Sequence, residues 1–155
     1  MEMMKLLRVY ADTSVFGGCF DAEFEQESRA FFREVAARRF LLVVSHVTAR
    51  ELILAPPEVR RVLEQLDPDV VEFIAGSDEI QQLRDAYLRA GIVGPASVAD
   101  AEHIAAASVA GVDLVVSWNF KHIVHFEKIV GYESVNLTQG YKPVRIHSPK
   151  EVVEP

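Results

Sequence analysis

The stretch Phe40-Leu41-Leu42-Val43-Val44 is apolar at every position. A strand with one wet face alternates apolar and polar residues. An unbroken run of this length suits a strand covered on both faces, as in a parallel sheet between helical layers. Other strand candidates are Leu6 to Ala11, Val70 to Ala75, Leu114 to Ser117 and, more weakly, Val144 to His147. Helical patterns fill the intervals. Phe24 to Arg39 carries Phe31, Phe32, Val35 and Ala36 on one side, and His46 to Leu54 follows the second strand. Pro56-Pro57 restarts a helix to about Leu66, which Asp67-Pro68 breaks. Asp78 to Ala90, the alanine-rich Ser97 to Ala110, and a segment after Ser117 to about Gln139 complete the set. Strands alternating with helices predict an α/β layered fold with a mainly parallel sheet.

The chain has 155 residues, half of them hydrophobic, which is enough for one ordinary core. Residues 1–155 are read as a single domain without repeats or a linker. Mean hydropathy is +0.12, yet no apolar run approaches the roughly 18 residues that span a bilayer. The N-terminal MEMMKLLRVYADTS has a short apolar part that carries Arg8 and runs into Asp12, unlike a cleaved export signal. A single cysteine, Cys19, excludes an internal disulfide and a cysteine zinc site, and fits a reducing, cytoplasmic setting. The net charge of -7 argues against a module that holds nucleic acid by charge alone. It leaves room for an enzyme whose acids hold cations that meet phosphates.

Four polar residues fall where strands end or helices begin: Asp12, Glu51, Asp100 and Asn119. Ligands of open parallel sheets bind at those ends. Each acid also has a plain structural reading. SVAD (Ser97 to Asp100) and TARE (Thr48 to Glu51) have capping-box spacing, and Asp12-Thr13-Ser14 reads as a turn. Three separate coincidences are then required, whereas a site for Mg²⁺ or Mn²⁺ needs only convergent hard oxygens. Such an ion can ionise water and neutralise a phosphodiester in its transition state. Ala101, Ala105 and Ala106 would let the late helix approach the sheet and bring Asp100 towards Asp12.

In the segments YADTSVF, SHVTARELI, SVADAEHIAAA and DLVVSWNF, in that order over nearly the whole chain, the sequence resembles the PIN-domain family of metal-dependent nucleases. Within it the similarity is greatest to the VapC-type toxins of toxin–antitoxin pairs. The resemblance implies a three-layer α/β/α fold with a five-stranded sheet ordered 3-2-1-4-5, usually a homodimer. It implies an endoribonuclease-type hydrolase that cuts RNA phosphodiester bonds, with a protein antitoxin as partner and Mg²⁺ or Mn²⁺ as cofactor. It carries over Asp12, Glu51 and Asp100 as catalytic metal-site acids, with Ser14 or Ser117 as supporting hydroxyls. Family members often place an acid where this chain has Asn119, so Asn119 stands at the fourth catalytic position without its charge. Its carbonyl could still orient a water.

The rival reading is a catalytically degenerate module that binds RNA or protein, since Asn119 is what loss of an acid leaves. A phosphatase with Asp12 as nucleophile would want an acid where Ser14 stands. A phospho-acceptor domain would want an aspartate in the third strand, which offers only Glu72. No GxGxxG or P-loop pattern supports a dinucleotide or nucleoside-triphosphate site. Lys121 and His122 lie near the fourth strand end, where they could contact RNA phosphates; His125 reads as a solvated helix face. Trp118 reads as core rather than a base-stacking platform, and His103 as structural.

Overall fold

The computed structural model describes residues 6–154; residues 1–5, the start of the segment weighed as an export signal, lie outside that range. Five strands, β1 (Leu7–Ala11), β2 (Phe40–Ser45), β3 (Val71–Ile74), β4 (Leu114–Val116) and β5 (Arg145–His147), form one sheet ordered β3-β2-β1-β4-β5. Every pairing is parallel, so the sheet is parallel throughout rather than mainly so.

Alternate strand residues face two different cores. Tyr10, Val43, Val115 and Ile146 pack with α5 (Asp78–Arg89), α6 (Val98–Ala110) and α7 (Phe126–Gln139). Val9, Ala11, Leu42, Val44 and Val116 pack with α1 (Thr13–Gly18), α2 (Glu25–Ala36) and α4 (Pro57–Glu64). This is the three-layer α/β/α arrangement, and it explains the unalternated run in β2. Helix α3 (His46–Ile53) leaves β2 directly, and α8 (Pro149–Val152) follows β5. Among the described residues no helix is long and apolar enough to cross a membrane.

Two features depart from the sequence expectation. Asp12-Thr13-Ser14 opens α1 rather than a turn, a helix that ends in Gly17-Gly18. Gly18 is there for proximity: a Cβ would stand 2.4 Å from Ser28 Oγ and 2.8 Å from Trp118 Nε1. The helix expected directly after β4 starts only at Phe126. In the preceding loop Asn119 Oδ1 accepts from the N–H groups of Lys121 (3.2 Å) and His122 (2.9 Å). That local bonding competes with helix formation, as short amide side chains often do.

Helix α6 lies deep in the structure. Ala101, Ile104, Ala105, Ala106 and Ala107 are fully buried, and Gly111, at φ 66°, ends the helix in the left-handed conformation. Glu102 of α6, itself buried, accepts from Arg84 of α5 at 3.0 Å and meets His46 Nε2 of α3. One carboxylate thus ties together three helices that flank the sheet's C-terminal edge.

Burial alone would push the Glu102 carboxyl up, but Arg84 and His46 outweigh it and hold it below the ordinary glutamate range. Its stabilisation is therefore fully present above the unfolded value near 4.3 and disappears as pH falls through the lower folded value. Glu102→Gln should cost about 3 kcal/mol at pH 7. That is the lower end for breaking a buried pair, because Arg84 and His46 reach solvent. The cost should shrink on acidification below about pH 4; urea unfolding of both proteins from pH 3 to 7 measures it.

Candidate active site

Strand register sets the floor of the site. Ala11 of β1 stands opposite Val116 of β4, and the Asp12 N–H continues the ladder to the Val116 carbonyl at 3.3 Å. Asp12 and Ser117 therefore leave adjacent strands at the same level, where strand order reverses from one side of β1 to the other.

The Asp12 side chain is 4% exposed and held by both oxygens. Ser14 Oγ donates to Oδ1 at 2.5 Å and Ser117 Oγ to Oδ2 at 2.9 Å. Each serine oxygen in turn accepts a backbone N–H at 2.9 Å, Trp118 on Ser14 and Asn119 on Ser117. The result is a closed ring that orients one carboxylate.

None of the three acids acts as a helix cap. Asp12 occupies the cap position of α1 without a side-chain cap bond. Ser97 makes no side-chain cap bond for α6, so the SVAD box does not form and Asp100 simply lies in the first turn. The capping box of α3 is Ser45 with Thr48, not Thr48 with Glu51. Glu51 instead accepts from Thr13 Oγ1 and His103 Nε2, both at 2.6 Å.

The acids fall into two electrostatic classes. Burial, followed in smaller measure by repulsion from Asp100, raises the Asp12 carboxyl, against the pull of His103, Ser14 and Ser117. Burial also raises Asp100, with Glu51 repelling it and His103, His122 and Asn119 opposing the rise. Glu51 is different: burial would push it up, but His103, Thr13 and Arg50 outweigh that and hold it down. Among the described residues neither Asp12 nor Asp100 forms an ion pair with Lys or Arg. Two partly or wholly enclosed carboxylates raised by burial, with no Lys or Arg paired to them among the described residues, suit a divalent cation, a hard ion that prefers such oxygens. The three acids are not gathered to ligand distances of one ion; among the described residues no three His, Cys, Asp or Glu side chains are. Glu51 is drawn aside by Thr13 and His103.

Asn119 uses its carbonyl on the loop N–H groups, so that oxygen is not free to orient water as the sequence suggested. Asn119 also favours the charged form of Asp100. Lys121 is exposed, and His122 lies close enough to Asp100 to favour its charged form. His125 is exposed at the start of α7. Trp118 belongs to the core, 8% exposed, stacked on Phe24 with centroids 4.3 Å apart and bonded to Ser28 Oγ at 2.8 Å. Thr13 and Tyr10, which the sequence does not single out, and His103, which it presents as structural, are hydrogen-bonded to this group of side chains. The spacing of three between Asp100 and His103, which sets both on one helix face, was the available signal.

Asp12→Asn should leave the metal-free protein at least as stable as the parent at pH 7. A carboxyl raised in the folded state gives stability that is fully present below the unfolded value near 4 and is lost as pH rises through the folded value. The advantage of the variant should therefore grow from about pH 4 upward and then level off. Urea unfolding from pH 4 to 8 in chelator tests this. A loss of several kcal/mol at pH 7 would make Asp12 a structural partner of its two serines.

No family model and no curated protein sequence matches the chain. Among solved structures, it is similar to a chain in the crystal structure of VapBC2 from Rickettsia felis bound to a DNA fragment from their promoter. The TM-score is 0.56 over 92% of this chain and 98% of that one, at 12% sequence identity. A likeness at that identity is one of fold. The chain therefore has a PIN-like α/β/α fold, with the strand order that the family resemblance implied.

Proposed function

We propose that the protein is a divalent-cation-dependent ribonuclease that hydrolyses RNA phosphodiester bonds and acts as the toxin of a toxin–antitoxin pair. The observation that carries the reading is the buried Asp12, set by two serines beside a second raised aspartate, Asp100, with no Lys or Arg ion pair to either among the described residues. The PIN-like fold and the VapBC2 neighbour support it, and the latter makes a protein antitoxin the proposed partner. A homodimer is proposed on the family resemblance alone.

Asp12 and Asp100 would hold Mg²⁺ or Mn²⁺, with Glu51 contributing directly or through water. The bound ion would supply a water ionised near neutral pH and charge neutralisation at the phosphodiester. The chain's own groups do the positioning. Ser14 and Ser117 fix Asp12, Asn119 shapes the loop after β4, and from that loop the exposed Lys121 and the half-buried His122 beside Asp100 would meet the phosphates of a bound strand.

Purified protein should cut single-stranded RNA with Mn²⁺ or Mg²⁺ and not with chelator present. Asp12→Asn and Asp100→Asn should each lower the rate by at least about 10²-fold, as loss of a major electrostatic contributor does, with circular dichroism unchanged. Absence of metal-dependent cleavage by the parent would overturn the proposal and leave the degenerate RNA- or protein-binding module, which Asn119 favours.

Asn119→Asp provides a graded test. At an effective dielectric of ~20, a charge ~5 Å from a divalent ion gains about 6 to 7 kcal/mol before desolvation and repulsion from the other acids. A residual of about 1.4 kcal/mol would be tenfold in affinity. The new carboxylate can still accept from Lys121 and His122 N–H, but it replaces a group that favours the Asp100 charge with one that repels it. The variant should be less stable than the parent without metal and bind Mn²⁺ more tightly. Isothermal titration with Mn²⁺ measures the second effect; identical isotherms would separate Asn119 from the cation.

A further inference from the structure

Glu51 is gripped by one of its two oxygens. Thr13 Oγ1 and His103 Nε2 both donate to Oε1, and among the described residues no hydrogen bond reaches Oε2. An ionised carboxylate only accepts, so His103 carries its proton on Nε2. In the neutral imidazole Nδ1 must then accept, and the Tyr10 hydroxyl stands 2.5 Å from it. The Tyr10 oxygen lies 2.7 Å from Ser45 Oγ, and Ser45 Oγ accepts the Val47 N–H at 3.2 Å. Every donor in this series points towards Glu51. Tyr10 and His103 are 0% and 2% exposed, so packing holds both rings in place. The series joins β1, which ends just before Asp12, to α3 and α6, the helices that carry Glu51 and Asp100.

Resting on the reading of this site as a cation-dependent nuclease, we infer that Thr13, His103 and Tyr10 are positioning residues that hold Glu51 by Oε1, so that it offers only Oε2 to the cation or its water. A carboxylate held in this way is a one-oxygen ligand. That suits Mg²⁺ and Mn²⁺, which take single oxygens in octahedral shells, and disfavours Ca²⁺, which accepts bidentate carboxylates at longer range. The grip therefore bears on which cation the site selects as well as on how tightly it binds. Outer groups of this kind typically matter by ten- to a hundredfold in metal affinity.

The experiment is calorimetric titration of the metal-free protein with Mn²⁺ and separately with Ca²⁺, for the parent, Thr13→Val and Tyr10→Phe, each alone and combined with Glu51→Ala. Circular dichroism and thermal melting verify folding; Thr13, which is partly exposed, decides the matter if the buried Tyr10 variant does not fold. Each single variant should weaken Mn²⁺ binding about tenfold and narrow the preference for Mn²⁺ over Ca²⁺. Neither should weaken it further once Glu51 is alanine, because both act through that side chain. A purely structural role would change melting and leave the Mn²⁺ to Ca²⁺ ratio alone. Parental affinity and ratio in both folded variants would overturn the inference while leaving the nuclease reading intact. So would an undiminished effect in the Glu51→Ala background. Failure of the parent itself to bind Mn²⁺ would overturn the nuclease reading and this inference with it.

Discussion

A carboxylate enclosed at the end of the central strand, with no Lys or Arg paired to it among the described residues, is the constraint on which the site depends. Burying such a charge is unfavourable unless its lone pairs are met. Asp12 meets that condition through neutral donors only, the hydroxyls of Ser14 and Ser117. Neutral donors orient the group without cancelling its charge. The rest of the local structure follows: Ser117 must leave β4 level with Asp12, and the backbone N–H groups of Trp118 and Asn119 must turn back to saturate the serines. Gly18 is part of the same arrangement, because its missing side chain leaves room for the Trp118 indole beside Ser28.

The second aspartate arrives by packing. Helix α6 packs on α5, and its buried alanines share one core with Tyr10, Val43 and Val115 of the sheet. Asp100 lies near enough to raise Asp12, and is itself raised by burial and by Glu51. Glu51 is held in the opposite sense by His103 and Thr13. Carboxyl groups whose surroundings push them apart in this way mark a site where charge is managed rather than merely tolerated. The Arg84–Glu102–His46 cluster completes the picture from the far side of α6, since it fixes that helix against α3 and α5 with a fully compensated acid.

The fold was legible because burial on both faces leaves a signature in the strands: Phe40 to Val44 could hardly read otherwise. Asp12 and Asp100 were legible because one follows a strand and the other opens a helix, whereas Glu51 lies in the second half of α3. What was not legible has a common physical cause. Tyr10 reads as an ordinary β-former, and nothing near it announces a partner 93 residues away in His103. Thr13 reads as a turn residue, and its bond to Glu51 spans 38 residues. The capping spacing of SVAD and TARE misled for the opposite reason, being local and correct in form while the side chains were engaged elsewhere. The helix expected after β4 was misjudged because one side-chain carbonyl, that of Asn119, captures two backbone N–H groups.

Asn119 joins the local and the long-range arguments. An aspartate there could close the same loop, since either side chain offers an oxygen to the N–H groups of Lys121 and His122. It could not also favour the charged form of Asp100. With Asn119 the Asp100 carboxyl meets a neutral group from β4's end rather than a further like charge. Repulsion within the cluster is correspondingly smaller when no cation is bound, and so is the electrostatic attraction for one. Under the proposed function, an asparagine at this position would exchange affinity for tolerance of the empty state. The cation would then be held mainly by two aspartates, and how Glu51 is presented gains weight in proportion.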